Sequence, residues 1–185
     1  MSDRFTFHTT ELPGVQWVEP LVHGDERGFF METYRSADFA AAGIGDIFVQ
    51  DNHSRSARGV LRGLHLQKAH PQAKLVRCVA GAVWDVAVDI DPGSPTFARW
   101  FGIELSAANR RELYIPAGMA HGFVALADGT EFVYKCSTCY DPADEVGILW
   151  SDTRLNIAWP LAQGESPILS AKDRSLPTLD RYIGR

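Results

Sequence analysis

The sequence lacks a long apolar run. None of the apolar stretches in its 185 residues approaches the roughly 20 residues that a membrane-spanning helix needs. The N-terminal segment also lacks the basic region followed by an apolar region that is typical of a secretory signal. We therefore expect a cytoplasmic protein that does not associate with membranes.

Basic residues are also in short supply. Lys and Arg total 18 against 23 Asp and Glu, which gives a net charge of −5, and only four of the cations are lysines. An acidic chain without a basic block is a poor nucleic-acid binder, so we expect no nucleic-acid partner. The hydrophobic fraction of 45% and the charged fraction of 22% are ordinary for a globular protein and predict one domain over residues 1–185.

Cysteine is scarce, with three residues in the whole chain. Cys136 and Cys139 have the C-x-x-C spacing of redox and zinc sites. No second pair with this spacing is present, and the segment is predicted to be a strand rather than the start of a helix. We interpret all three cysteines as reduced, partly buried thiols.

Long helical patterns are absent too, and short β-rich runs follow one another between turn residues. A short helix is predicted over 36–43, Ser170 could cap another before Asp173, and residues 23–28 are predicted to be a turn. Closely spaced short strands favour a β-sandwich or barrel. The strands are predicted near 15–22, 28–34, 47–54, 60–67, 73–80, 82–90, 98–105, 112–115, 122–127, 130–140 and 146–150.

The clearest alternation covers residues 83–90. Its even-numbered residues are all apolar, whereas its odd-numbered residues include Asp85 and Asp89. This period of two predicts a strand with two acids on one face.

Ionisable residues interrupt three of the apolar strands. Strict alternation would place Arg62 and His65 on opposite faces, unless Gly63 forms a bulge that brings both to one face. Lys74, at the head of a strand, is either a solvent-facing edge residue or a cation in a cavity. Tyr134 and Tyr140 share a face, where tyrosine either fills the core or acts as a general acid.

A metal site needs three or four converging ligands. A common arrangement in β-barrels is His-x-His with a Glu shortly after, but this chain has Gln67 two residues after His65. His121 stands alone, with Gly122 and Phe123 after it. We therefore expect no metal.

Segments along the whole chain match one known family. They include Gly24-Asp-Glu-Arg-Gly-Phe-Phe30, Gln50-Asp-Asn-His-Ser54, Gly59-Val-Leu-Arg-Gly-Leu-His65, Lys74-Leu-Val-Arg-Cys78, Ile115-Pro-Ala-Gly-Met-Ala-His-Gly-Phe123 and Leu169-Ser-Ala-Lys-Asp173. Together these motifs resemble the dTDP-4-dehydrorhamnose 3,5-epimerase family from end to end. The resemblance implies a cupin-type jelly roll with a few short helices, a homodimer, and no metal or organic cofactor. It also implies a nucleotide-linked 4-keto-6-deoxy sugar as substrate.

The same resemblance implies a role for individual residues. His65 would be the base, with Asp173 paired to it. Tyr134 would be the acid on the other face of the sugar, and Lys74 would stabilise the enolate oxygen. Asp85 is expected to support His121. The residues implied in substrate and diphosphate binding are Arg27, Glu32, Gln50, Asn52, Arg62, His121, Glu145 and Lys172.

Two positions depart from the family pattern. His23 and Cys139 stand where family members often carry aromatic residues associated with the nucleotide base, and losing an aromatic ring weakens base stacking. Within the enzyme class, the alternatives are a mono-epimerase acting at C3 or C5 alone and an epimerase of a CDP- or GDP-linked sugar. A non-catalytic sugar-nucleotide binding module and a metal-dependent cupin oxygenase are the alternatives from other classes.

Overall fold

The computed structural model describes residues 4–162 and 164–184. The short helices are α1 (Ser36–Ala41), α2 (Ala171–Arg174) and α3 (Leu179–Tyr182). The strands are β1 (Phe5–Thr9), β2 (Gln16–Pro20), β3 (Val22–Asp25), β4 (Gly28–Met31), β5 (Gln50–Ser56), β6 (Leu61–Gln67), β7 (Lys74–Ala80), β8 (Ala82–Val88), β9 (Trp100–Ser106), β10 (Glu112–Ile115), β11 (Ala120–Ala125), β12 (Thr130–Cys136) and β13 (Glu145–Gly147).

Two antiparallel sheets form the body of the protein. A six-stranded sheet has the order β1-β2-β10-β7-β12-β5, and a five-stranded sheet has the order β13-β6-β11-β8-β9. Strands β3 and β4 form a separate two-stranded hairpin. The expected all-β fold with a few short helices is therefore confirmed. None of the described helices is both long enough and apolar enough to cross a membrane.

Both faces of strand β8 are rich in apolar residues, because each face packs against a different part of the protein. Val83 and Ala87 pack in a cluster that takes residues from both sheets, so they face the space between the sheets. Val86 and Val88 pack on the other face against the C-terminal segment, including Leu179. The predicted alternation is confirmed over residues 83–88, and each face has its own core. The strand ends at Val88, so Asp89 and Ile90 lie beyond it.

The outer face of the six-stranded sheet is also covered. Phe39 of α1 and Ile44 pack there against Leu75 and Tyr114 of the sheet. Segment 32–49 therefore acts as a cover on this face, while the C-terminal segment covers the other sheet.

Several predicted boundaries were wrong. Strand β1 was not predicted, although it pairs with β2 at the sheet edge. The turn predicted over 23–28 is confined to residues 26–27, because Asp25 pairs with Gly28 and extends the β3–β4 hairpin. The strand predicted to reach residue 140 ends at Cys136, where Ser137 and the residues after it bond to residues 71–73 instead of continuing the ladder.

The predicted cap at Ser170 is confirmed. Its hydroxyl oxygen accepts a hydrogen bond from the Asp173 backbone N–H at 3.0 Å, which starts helix α2. Ser170 also donates to a carboxylate oxygen of Asp173 at 2.7 Å. This one capping residue therefore fixes both the backbone and the side chain of Asp173.

Candidate active site

A cavity of about 450 Å³ lies between the two sheets. Strands β5, β7 and β12 of one sheet and β6, β11 and β13 of the other contribute side chains to it, and α2 lies at its edge. Its size is typical of a site for a small organic ligand. Of the residues predicted for catalysis and binding, those that line it are His65, Tyr134, Asp173, Lys74, Gln50, Asn52, Arg62, His121, Glu145 and Lys172.

His65 and Asp173 form the shortest ion-pair contact in the cavity that involves a histidine. The His65 Nε2 atom lies 2.5 Å from Asp173 Oδ1. Burial raises the pKa of Asp173, but hydrogen bonds with His65 and Ser170 outweigh burial and leave that pKa below its ordinary value. Asp173 is therefore an anion at neutral pH that holds the ring and leaves Nδ1 for another partner.

Glu145 lies on the Nδ1 side of the same ring, with Oε1 at 3.6 Å from His65 Nδ1. Its Oε2 accepts a hydrogen bond from the Tyr140 hydroxyl at 2.5 Å and another from the Lys172 ammonium. Burial raises the pKa of Glu145, but the bonds from Lys172 and Tyr140 lower it further than burial raises it. A second carboxylate is thus held ionised beside the histidine.

Tyr134 and Lys74 enter the cavity from the opposite sheet. Burial raises the pKa of the Tyr134 phenol, so it keeps its proton at neutral pH. Lys74 is 8% exposed, and burial lowers the pKa of its ammonium group. Lys74 thus lies in the cavity and is not a solvent-facing edge residue.

His121 of β11 lies directly across the ladder from His65. Its Nε2 atom is 2.9 and 3.1 Å from the two oxygens of Asp85, which is fully buried. The expectation that Asp85 supports His121 is confirmed. The cavity therefore contains two neighbouring histidines, each with its own carboxylate.

Gly63 brings Arg62 and His65 to the same cavity. The β6–β11 register shifts between His121 and Phe123, opposite this glycine. Gly63 has a φ of 111°, and a Cβ atom there would lie 2.6 Å from the His121 carbonyl oxygen. Only glycine fits this close approach, and the predicted bulge is confirmed.

Two predicted binding residues lie outside the cavity in this chain. Arg27, in the β3–β4 turn, is exposed and pairs with Asp25 at 2.5 Å. Glu32 pairs with Arg4 at 3.0 Å and with Arg35 at 2.8 Å. Hairpin residues line their own shallow depression instead. A role for Arg27 and Glu32 in binding therefore stays a prediction.

The structure adds cavity residues that the sequence did not assign to the site. Tyr140 shares the predicted face of Tyr134 but follows the end of β12, and Gln67 lines the wall beside His65. The even spacing between Tyr134 and Tyr140, which predicts that both lie on one strand face, was the signal in the sequence that pointed to Tyr140. The position of Gln67, two residues after His65, indicated only that a metal ligand is missing there.

The cysteines follow their expectation in part. Cys78 and Cys136 are buried free thiols, whereas Cys139 is an exposed free thiol. Burial raises the pKa of the Cys136 thiol, which reduces its reactivity. In residues 4–162 and 164–184, no group of three or more His, Cys, Asp or Glu side chains is arranged to hold a metal ion.

The two packed antiparallel sheets, with a cavity between them, form a cupin-type jelly roll. The profile of the dTDP-4-dehydrorhamnose 3,5-epimerase family matches residues 9–181, and the chain belongs to this family of isomerases.

Several characterised relatives share most of their length with this chain. A dTDP-4-dehydrorhamnose 3,5-epimerase of Shigella flexneri is 56% identical over 166 residues, which cover 89% of this chain and 90% of that protein. The crystal structure of a Legionella pneumophila dTDP-6-deoxy-D-glucose-3,5-epimerase in complex with dTDP-4-keto-L-rhamnose is 47% identical. It superposes with a TM-score of 0.92 and covers 95% of this chain and 93% of that one.

A relative with a narrower activity shares the same fold. The structure of a 3'-monoepimerase from Streptomyces bikiniensis in complex with dTDP-quinovose is 38% identical to this chain, with a TM-score of 0.89. The superposition covers 96% of this chain and 90% of that one. The fold alone therefore does not decide how many carbons are epimerised.

Proposed function

We propose that this protein epimerises C3 and C5 of dTDP-4-dehydro-6-deoxy-D-glucose to give dTDP-4-dehydro-L-rhamnose, with no metal or organic cofactor. The observation that carries the proposal is the arrangement of the cavity. His65 lies on the five-stranded sheet and is paired with the buried carboxylate of Asp173 on α2. The protonated Tyr134 and the buried Lys74 lie on the six-stranded sheet. The Shigella flexneri relative, at 56% identity, supports the choice of substrate.

The chemistry follows from the ketone at C4, which acidifies the protons on C3 and C5. His65 takes one of these protons, so a C–H bond breaks, an N–H bond forms, and the electron pair moves onto the C4 oxygen. The Lys74 ammonium stabilises the enolate oxygen, whose charge develops only during reaction. Tyr134 then gives its phenolic proton to the carbon from the opposite face, and the configuration inverts.

The ionisation states support these roles. Asp173, whose pKa is lowered, favours a cationic His65 after proton abstraction. Tyr134, whose pKa is raised by burial, starts the reaction with its proton. The acid thus begins with the proton that it must give.

The remaining cavity residues fit substrate binding. Arg62 and Lys172 supply cationic donors for a diphosphate, as Arg and Lys do elsewhere. The amides of Gln50 and Asn52 supply donors for sugar or phosphate oxygens. His121, held by Asp85 through Nε2, keeps its Nδ1 atom for a contact with the substrate. Glu145 can accept a hydrogen bond from a sugar hydroxyl.

In this proposal the protein is a homodimer. Arg27 and Glu32 of one subunit contact the substrate that is bound in the cavity of the other subunit. The β3–β4 hairpin that carries Arg27 also exposes Phe29 and Phe30, at 57% and 68%. Exposed aromatic residues of this size are typical of an interface or a ligand contact. The cavity of one subunit would thereby be completed by the hairpin of the other.

A mono-epimerase is the second candidate, because a 3'-monoepimerase superposes on this chain with a TM-score of 0.89. Base and acid serve either carbon in the same way. The difference between one and two epimerisations therefore depends on how the sugar turns in the cavity.

Solvent deuterium incorporation tests the proposal. We would incubate the protein with dTDP-4-dehydro-6-deoxy-D-glucose in heavy water and follow C3 and C5 by proton NMR. The proposal predicts exchange at both carbons. Exchange at one carbon would establish the mono-epimerase, and no exchange by the folded protein would overturn the proposed function. Competition by dTDP, CDP and GDP would then decide the nucleotide, with tight binding of dTDP alone expected.

A further inference from the structure

Two loops beside the cavity are joined by many hydrogen bonds. They are residues 68–73 and residues 137–144, called here the paired loops. The Ala73 N–H donates to the Ser137 hydroxyl at 2.9 Å, and Gln72 Nε2 donates to the Thr138 carbonyl at 2.6 Å. The Asp144 carboxylate accepts from two backbone N–H groups of the first loop at 2.7 Å each. The second loop carries Tyr140 to the rim of the cavity.

Gln67 lies where the two loops meet. It is 2% exposed and is the last residue of β6, two residues after His65. Its Oε1 accepts a hydrogen bond from the Asp141 N–H at 2.8 Å, and its Nε2 donates to the His70 carbonyl at 2.9 Å. One side-chain amide thus contacts both paired loops, using its acceptor on one and a donor on the other.

An amide is the chemical group that this position requires. A carboxylate has no proton to donate to the His70 carbonyl, and an apolar side chain would leave the Asp141 N–H without its acceptor. Because Asp141 is an exposed residue, its N–H would bond to water instead, and the second loop would lose the contact that holds it against Gln67. The hydrogen bonds therefore account for glutamine at this position.

The position of Tyr140 depends on this contact. The Tyr140 N–H donates to Gln50 Oε1 at 2.7 Å, and the next N–H along the chain is the one held by Gln67. The Tyr140 hydroxyl bonds to Glu145, which lies beside the His65 ring. Gln67 is also the cross-strand partner of Glu145. A path of direct contacts therefore runs from Gln67 through Tyr140 to the carboxylate next to His65.

We propose that Gln67 is a positioning residue that sets the place of Tyr140 and Glu145 at the mouth of the cavity and thereby controls substrate affinity. The effect on affinity rests on the proposed function, whereas the effect on the loop does not. Because both ends of the Gln67 amide are bonded to loop backbone, Gln67 acts through the loop, and its removal should raise KM more than it lowers kcat.

The test uses Gln67→Met, an unbranched side chain of the same length, with Gln67→Leu as a second variant should the first fail to fold. Amide hydrogen exchange at Asp141, measured without substrate, should speed up about tenfold or more as its acceptor is lost. KM should rise about tenfold, with kcat within about threefold of the wild-type value. In a Tyr140→Ala background the same substitution should change KM by less than about twofold, because the two residues act on one path.

The matched control is Gln16→Met. Gln16 is a half-buried glutamine whose Nε2 donates to the Ala42 carbonyl at 3.2 Å on the covered outer side, so both KM and Asp141 exchange should stay at wild-type values. Unchanged exchange at Asp141 in both Gln67 variants would overturn the inference, as would raised exchange with an unchanged KM. If the effects of Gln67→Met and Tyr140→Ala on KM multiply in the double variant, the path through Tyr140 is overturned. A wild-type protein without turnover would defeat the proposed function, while Asp141 exchange would still decide the loop contact.

Discussion

The carboxyl groups in the cavity have hydrogen-bonding partners, whereas a buried carboxyl group on the outer face of the six-stranded sheet has none among the described residues. In the cavity, Asp173 and Asp85 each contact a histidine, and Glu145 is bonded to Tyr140 and Lys172. On the outer face, Glu112 is completely buried and neither of its carboxyl oxygens has a hydrogen-bond partner among the described residues.

Strand β10 separates the space between the sheets from the outer face, and its alternating side chains point to one or the other. Leu113 packs in the cluster between the sheets, so its neighbour Glu112 points to the other side of β10, across from Arg77 of β7. Burial raises the pKa of Glu112 to about 8. Burial without a hydrogen-bond partner favours the neutral form of Glu112, whereas hydrogen-bond partners favour the charged forms of Asp173 and Glu145.

The largest effect is expected at His65. His65→Ala removes the proposed base, and general-base catalysis contributes about 10²–10⁴-fold, so turnover should fall by about 10³-fold. Initial rates by NMR would measure the loss. His53→Ala is the matched control, because His53 pairs with Glu131 at 3.1 Å on the protein surface. Near-normal turnover in His65→Ala would mean that the base is another residue.

Asp173→Asn should have the next largest effect. The change keeps the shape of the side chain but removes the charge that orients and stabilises His65, and we expect a loss of about 10²-fold in kcat. Asp180→Asn, at the exposed ion pair with Arg154, should leave kcat unchanged. An Asp173→Asn enzyme with wild-type kcat would show that the His65 contact is structural only.

The lowered pKa of Asp173 also predicts a pH dependence of stability. The folded protein releases this proton more readily than the unfolded chain does. The stability that Asp173 contributes is therefore present above its ordinary pKa of 3.8 and is lost as the pH falls through the lower folded-state value. Thermal unfolding of the wild type and Asp173→Asn should converge below about pH 4, and a constant gap in Tm from pH 3 to pH 7 would contradict this.

Glu112→Gln should have the smallest effect, on stability rather than on activity. Folded Glu112 keeps its proton up to a pH of about 8, while the unfolded chain releases it near 4.5. The free energy of unfolding of the wild type should therefore decrease as the pH rises through this window. Relative to wild type, the Tm of Glu112→Gln should increase by about 5 °C between pH 5 and pH 8.

Glu131→Gln, at an exposed carboxylate, is the control for the Glu112 variant and should show no such change with pH. Parallel curves of Tm against pH for wild type and Glu112→Gln would contradict the raised pKa. They would also remove the contrast between the cavity and the outer face.

Local patterns predicted much of the fold and of the site. The alternation in β8, the cap at Ser170 and the bulge at Gly63 each depend on a few neighbouring residues, and each is confirmed. The family resemblance placed His65, Tyr134 and Lys74 in one site, and the structure brings them to one cavity.

Features that depend on distant contacts could not be predicted in this way. Strand β1 is defined by pairing with β2, and β12 ends because the second loop bonds to residues 71–73. The contacts of Gln67 join positions 67, 70 and 141, and no local pattern marks them. Arg27 and Glu32 lie outside the cavity, and no local pattern in the sequence marks that placement.

The most direct test of the central claim, that acid and base act from opposite sheets, is deuterium exchange in two variants side by side. Tyr134→Phe should still exchange the C3 and C5 protons with heavy water through His65, but it should form little inverted product. His65→Ala should do neither. Exchange that persists in His65→Ala and disappears in Tyr134→Phe would contradict the assignment of base and acid.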